Sequence, residues 1–314
     1  MQIPKSLNYK QALKGNQICC LTVMLDRKQI QNIDFTTEKH EDYILWLNIL
    51  KQVIEIMYKF AILVSCMYEK DKEIIKRSNI KSDCVIVNQC DEDKEEQLKI
   101  ENNKICLWIN SKERGLSISR NMAIQNSNAD ICLIADNDEI FDDDVEEKIL
   151  KAYKEIPQAD IIVFNLHNKS TKLKNKIYKL KRLECLRVCS LQISFKRNSV
   201  IENNLKFDLR LGAGTGNGAG EENKFLFDAY DKGLKIYHYP IYIARMIENE
   251  STWFSGYDEE YFYKRGSSTR YILGFWLSCL YAVYFLIFKY GEYKNDISMI
   301  EASKRMFSDI MDSV

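Results

Sequence analysis

Residues Arg114 to Glu139 read RGLSISRNMAIQNSNADICLIADNDE. The stretch opens on a polar turn carrying Arg114, Gly115, Ser117, Ser119, Arg120 and Asn121, and runs through a short helix to a polar SNAD turn. It then continues as an apolar strand, Ile131 to Ala135, that ends in Asp136-Asn137-Asp138-Glu139. Basic and hydroxyl groups on one loop therefore meet a carboxylate cluster on the next. The pairing suits a metal-bound diphosphate, in which cationic and hydrogen-bonding groups hold the anionic oxygens and two hard carboxylates hold a divalent cation.

Upstream of this stretch, Phe60 to Ser65 reads as a buried strand, Asp71 to Arg77 as a helix, and Asp83 to Asn88 as a second strand that ends in Gln89-Cys90-Asp91-Glu92-Asp93. Ile105 to Ile109 reads as a third. Strands and helices that alternate with short connections predict an α/β fold with a mostly parallel central sheet flanked by helices. Such sheets bind ligands at the carboxyl ends of their strands. Asp91, the loop from Arg114 to Asn121, and Asp136 to Glu139 all fall there.

Downstream, Asp143 to Ile156 reads as a helix with acids early and lysines late, as the helix dipole prefers, and stops at Pro157. Ile161 to Leu166 and Leu186 to Lys196 read as strands. Between them lies a strongly basic segment, Lys169 to Arg182, which is either a solvated edge that discourages strand pairing or a grip on an anionic substrate. Five glycines between Gly212 and Gly220 form a loop of unusual backbone freedom before Glu221-Glu222 and the helix Lys224 to Asp231. The loop lacks the Gly-Lys-Ser/Thr of a P-loop and does not follow the first strand of a dinucleotide fold. The paired glutamates either complement the helix dipole or supply a general base, since a carboxylate near a helix start is held by backbone amides while ionised.

Lys plus Arg and Asp plus Glu both number 45, so net charge gives no case for a nucleic-acid partner. The ten cysteines show no metal-ligand spacing and read as reduced, mostly buried thiols. Met1 to Asn32 lacks a secretory apolar core, which places the expected compartment in the cytoplasm. Tyr271 to Phe288 holds eighteen uncharged residues between basic flanks. Spanning a membrane, lying in its interface and packing as a buried or oligomer-forming helix all fit that length.

From Met57 onward the chain resembles the family 2 glycosyltransferases of the A-type fold, specifically bacterial enzymes of surface and capsular polysaccharide synthesis. The resemblance is carried by Val87-Asn-Gln-Cys-Asp91, Arg114-Gly-Leu-Ser-Ile-Ser-Arg-Asn121, Ala135-Asp-Asn-Asp138, Gly220-Glu-Glu-Asn223 and Glu250-Ser-Thr-Trp-Phe254, in family order. It implies a nucleotide-diphosphate sugar donor and a glycan or lipid-linked acceptor. Cys66 to Glu69 and Asp91 would flank base and ribose, and Arg114, Arg120 and Asn121 would border the donor. Asp136 and Asp138 would bind ribose and, through Mg²⁺ or Mn²⁺, the diphosphate. Glu222, beside Glu221, would be the base of an inverting displacement.

Two features depart from the family pattern. Asn137 stands in the middle of a motif often built of three aspartates, and Glu248-Asn249-Glu250 stands where relatives can carry a histidine ligand.

The prefix from Tyr9 to Leu50, with its Glu41-Asp42 pair, resembles the acceptor half of a second family 2 enzyme. The expected organisation is therefore a truncated remnant at 1–56, a catalytic domain at 57–265 and an apolar or amphipathic helical region at 266–314. The region at 271–288 would touch the inner face of the plasma membrane. A second functional reading is a catalytically inactive member of this fold acting as a partner in a polysaccharide assembly complex.

Overall fold

Strand β1 (Phe60–Met67) forms where FAILVSCM offers an almost continuous apolar run, and all but its last residue are buried. The runs in β2 (Cys84–Gln89), β5 (Ile131–Asp136) and β7 (Ile161–Leu166) are equally buried, as strands covered on both faces must be. The computed structural model describes residues 58–215, 220–247 and 256–312. The chain divides into two compact units, Met1–Lys59 and Phe60–Val314, and the described residues fall almost wholly in the second. The prefix with its Glu41-Asp42 pair, part of the glycine loop and the segment from Glu248 to Ser255 lie outside the described residues.

In chain order the remaining elements are α1 (Glu73–Arg77), β3 (Lys94–Lys99), β4 (Ile105–Ser111), α2 (Leu116–Asn126), β6 (Glu139–Phe141), α3 (Val145–Glu155), β8 (Tyr178–Lys179), β9 (Ile193–Lys196) and α4 (Arg197–Glu202). They are followed by α5 (Glu221–Asp231), β10 (Ile236–Met246), α6 (Glu259–Leu273), α7 (Phe275–Phe288), α8 (Tyr290–Tyr293) and α9 (Met299–Asp312). One sheet orders the strands β3-β4-β2-β1-β5-β9-β7-β10-β6, with β8 on β10.

The sheet is mixed rather than mostly parallel. β4, β2, β1 and β5 pair in parallel, and β9 runs antiparallel to both β5 and β7, which restores the common direction for β7 and β10. β3, β6 and β8 are antiparallel to their neighbours. The register sets Ser65 opposite Asp136 and Gln89 opposite Ser111, so the carboxyl ends of β1, β2, β4 and β5 finish almost level and their loops share one rim.

Two further expectations are corrected. Leu186 to Lys196 is not one strand, because only Ile193–Lys196 pairs, after two 3-10 turns. Side chains take the place of a ladder there: the Asn223 amide donates to the Cys185 and Val188 carbonyls at 3.1 Å each, and Gln192 donates to the Phe164 carbonyl at 2.7 Å. Tyr271 to Phe288 is not one helix, because Gly274 at φ +76° breaks it between α6 and α7. No helix among the described residues is long and apolar enough to cross a membrane.

α6, α7 and α9 pack around Phe262, Phe285, Tyr293, Met306 and Ile310. Gly266 allows α6 and α9 their close approach, since a Cβ at that position would collide with the Met306 carbonyl.

Candidate active site

The loop after β4 is positioned by main-chain bonds that the sequence already prepares. Gly115, at φ +128°, donates its N–H to the Gln89 side-chain carbonyl at 2.7 Å, and Leu116 donates to the Ala213 carbonyl at 3.1 Å. A side chain at Gly115 would be strained in this left-handed region. The hydroxyls expected to meet a ligand are used internally: Ser117 donates to the Leu211 carbonyl at 2.7 Å and Ser119 to Ser65 at 2.8 Å. They fix α2 to the sheet and to the glycine loop. Asn121 is likewise committed, its amide gripping the Phe207 main chain through two bonds of 2.9 Å.

Arg120 is the centre of the site. Its guanidinium is 1% exposed, donates to both Asp136 oxygens at 3.0 and 2.9 Å and to Glu221 Oε1 at 2.8 Å, and lies 5.3 Å from the centre of the Phe207 ring. Burial alone would lower its pKa, but the Asp136 and Glu221 carboxylates outweigh burial and hold it above the usual arginine value. One cation thus ties the end of β5 to the start of α5, and Arg120 itself lies 101 residues before Glu221. Removing it strands two carboxylates: Arg120→Met is expected to cost about 3–5 kcal/mol of stability. Urea unfolding of the variant checks this.

Asp136 and Glu221 are held by Arg120, and the neighbouring carboxylates sit in different surroundings. Asp138 is half-buried, its Oδ1 is buried without a hydrogen-bond partner, and burial together with the Asp136 charge raises its pKa. Glu139 is fully buried. Its Oε1 accepts the Asp136 N–H at 2.8 Å, and burial and the Asp136 charge raise its pKa well above the ordinary range. Glu139 therefore orients the turn that presents Asp136 and Asp138. Sequence reading placed it in the cluster without a role, and only its burial reveals one. Glu222 follows Glu221 in the first turn of α5, and burial and the adjacent Glu221 charge push its carboxyl up to about 7.

A second cluster borders the same rim. Asp91 accepts from Arg114 at 2.7 Å and from the Tyr68 hydroxyl at 3.0 Å, and Arg114 lies 5.4 Å from the Tyr68 ring centre. Tyr68 holds φ +53°, a conformation that costs a bulky residue roughly 1–3 kcal/mol and that marks functional loops. A cavity of 630 Å³ opens beside it, lined by Tyr68, Glu69, Asn88, Asp91, Trp108 and Asn110. That volume falls within the range of small-ligand sites. Cys66, in contrast, is a buried thiol whose pKa burial raises, so it is chemically quiet.

Among the described residues no group of three or more His, Cys, Asp or Glu side chains gathers as a metal site. The donor chemistry still fits Mg²⁺ or Mn²⁺, which take oxygen ligands from one or two carboxylates and complete their shells with water and substrate phosphates. Asp138 Oδ1 and Glu139 Oε2 are both buried without a hydrogen-bond partner, and the half-buried Asp138 is the carboxylate that would serve as such a ligand.

The chain is similar to known proteins in sequence and in fold. Residues 72–215 match the model of Glycosyl transferase family 2. The chain therefore carries a family 2 glycosyltransferase domain. Among curated proteins it is 40% identical over 86 residues to WfaP of Escherichia coli, a UDP-Glc:alpha-D-GlcNAc-diphosphoundecaprenol beta-1,3-glucosyltransferase; the match covers 24% of this chain and 34% of WfaP. It is 46% identical over 48 residues to WfgD of the same organism, which bears the same activity name, covering 15% of this chain and 19% of WfgD. The chain thus spans about a third or less of the length of these relatives. Among solved structures, S. aureus TarS 1–349 in complex with UDP-GlcNAc superposes with a TM-score of 0.57 at 15% identity, covering 82% of this chain and 81% of that one. That likeness shows a shared fold.

Proposed function

We propose that the protein is an inverting, metal-dependent glycosyltransferase that moves a sugar from a nucleotide-diphosphate sugar to a glycan or lipid-linked acceptor in bacterial surface-polysaccharide synthesis. The observation that carries this reading is the division of labour around Arg120: it engages Asp136 and Glu221 while Asp138 keeps a free oxygen and Glu222 is tuned to about 7. The matched family and the activities named for WfaP and WfgD support it.

In this mechanism the cavity lined by Tyr68 and Asp91 takes the nucleoside, and Arg114, which donates to both of these residues, holds that wall of the cavity in place. Asp136, fixed by Arg120 and by Glu139, faces the ribose and diphosphate. Asp138 would hold the divalent cation, which when bound neutralises charge on the departing nucleoside diphosphate. Glu222 removes the proton of the acceptor hydroxyl as that oxygen bonds to the anomeric carbon and the bond to the diphosphate breaks. A single displacement inverts the carbon. A carboxyl near 7 suits the task, because a base is most effective with a pKa close to the working pH. Thermal melting with UDP tests the site: UDP with Mn²⁺ should raise the midpoint and UDP with EDTA should raise it much less, since ligands that bind the native state stabilise it. No shift with either UDP or GDP would count against the reading.

The membrane contact belongs to the same proposal. α7 has no polar face, since Phe275–Phe288 carries no charged residue and leaves Trp276, Leu280, Val283, Tyr284, Ile287 and Phe288 exposed along one side. Exposure of 78% for Trp276, 50% for Tyr284 and 72% for Phe288 leaves on the order of 300–500 Å² of ring surface in water. Three rings alone thus reach the size of the largest apolar patch on a typical monomer. At 14 residues the helix is about 21 Å long, too short for a hydrocarbon core of about 30 Å, so it lies in the interface at the cytoplasmic face of the plasma membrane. Trp276→Glu with Leu280→Glu is expected to abolish sedimentation with phosphatidylglycerol vesicles while UDP binding persists. Unchanged sedimentation would remove the contact.

A further inference from the structure

Of the four residues Asp136-Asn137-Asp138-Glu139, Asn137 alone carries no charge. Its side chain is exposed, and its amide donates to Glu69 Oε1 at 3.4 Å. The same oxygen accepts from Arg77 at 2.6 Å, and the Glu69 side chain is 13% exposed. Strand register brings the two residues together. β1 and β5 are parallel neighbours with Ser65 opposite Asp136, so the loop that follows β1 passes beside the turn that follows β5.

The main chain of Glu69 is anchored in the wall of the 630 Å³ cavity. Its N–H donates to Asn88 Oδ1 at 2.9 Å, and its carbonyl accepts from the Asn88 amide at 3.0 Å. The Asn88 amide also donates to Asn110 Oδ1 at 3.0 Å, and that oxygen takes the Trp108 indole N–H at 2.8 Å. The Asn110 amide in turn donates to Glu92. All five of these residues, Glu69, Asn88, Glu92, Trp108 and Asn110, line the cavity. Glu69 therefore has its backbone locked into the cavity wall while its carboxylate reaches the turn that carries Asp136 and Asp138. An ionised carboxylate only accepts hydrogen bonds, so its partner at position 137 must be a donor. An aspartate at that position would set two acceptors of like charge against each other.

We infer that Asn137 and Glu69 are a positioning pair that holds the turn bearing Asp136 and Asp138 in register with the nucleoside cavity, so that one nucleoside diphosphate meets both. This rests on the glycosyltransferase reading above. The pair acts through Asp136, Asp138 and the cavity wall. A ligand that spans two walls binds well only when both are held at the spacing it needs, and side chains locked by hydrogen bonds behind the site supply that spacing.

The test is a double-mutant cycle read by titrating the full-length protein with UDP and Mn²⁺, or with GDP and Mn²⁺ where GDP is the nucleotide bound. Asn137→Asp should weaken binding about tenfold, the scale of one hydrogen bond to a charged group. In the Glu69→Gln background the same change should cost less than about twofold, because the new amide donates to the new carboxylate and the bond is restored with its polarity reversed. A purely structural loss would not be rescued in this way. Unchanged affinity in Asn137→Asp, or an equal loss in both backgrounds, would overturn the inference; the equal loss would assign the effect to repulsion between the new carboxylate and the diphosphate. Wild-type protein that binds neither UDP nor GDP would remove the glycosyltransferase reading and this inference with it.

Discussion

Glu222→Gln is expected to lower sugar transfer by about 10²–10⁴-fold, the usual contribution of a positioned general base. Donor affinity should be little changed, because Asp136, Asp138 and the Tyr68 cavity remain. The same substitution should alter stability in the opposite sense. Burial and the Glu221 charge raise the carboxyl from 4.5 to about 7 on folding, so the folded state holds a proton that the unfolded chain has lost between these values. Stability from this group is present at low pH and declines as pH rises from about 4.5 to about 7. Glutamine has no such dependence. The variant should therefore melt higher than the wild type above pH 7, with a flatter profile between pH 5 and 7, while being almost inactive. In the wild type, kcat/KM should rise with pH through about 7 and then level as the base form takes over. Full activity in the glutamine variant would remove Glu222 from the mechanism.

Asp138→Ala should have an effect of comparable size by a different route. The aspartate has a buried oxygen without a partner and a pKa raised by burial and by Asp136, so removing it relieves an unfavourable arrangement in the isolated protein. The fold should persist. A cation at a departing phosphate is worth several kcal/mol of charge stabilisation, which corresponds to a loss of about a hundredfold or more in turnover. The diagnostic readout is binding: the Mn²⁺-dependent part of the UDP-induced melting shift should disappear in Asp138→Ala, leaving only the part seen with EDTA. Wild-type metal dependence in this variant would place the cation elsewhere.

Much of the donor side of the fold is written in local sequence. β1, β2, β5 and β7 are short runs of buried apolar residues, and strand length and flanking polar turns suffice to find such runs. β3 escaped because KEEQLK is an exposed edge whose charges guard it against pairing. β10 escaped because Pro240 interrupts its pattern, and the pairing shifts register there between His238 and Tyr242. The mixed character of the sheet rests on β9, a four-residue strand hidden in a stretch whose carbonyls are satisfied by Asn223 rather than by a neighbour strand.

The site was legible as a set of residues and not as a circuit. Arg120, Asp136, Asp138, Glu221 and Glu222 stand in the motifs. That Arg120 joins Asp136 to Glu221, and so pairs the first of the two glutamates with a buried cation, depends on packing across 101 residues. Ser117, Ser119 and Asn121 look like ligand groups in a polar loop, yet their partners are Leu211, Ser65 and Phe207. Sequence alone cannot tell a hydroxyl that faces a ligand from one that rivets a helix, because both need the same residue type.

The most direct test of the central claim is turnover by the purified full-length protein with Mn²⁺ against a panel of UDP- and GDP-sugars, with a diphosphate-linked saccharide as acceptor and product anomeric configuration read by proton NMR. The account predicts release of nucleoside diphosphate from at least one donor, a product inverted at the anomeric carbon, and loss of both with Asp138→Ala. Absence of turnover from every donor, or a product that retains the donor configuration, would contradict it.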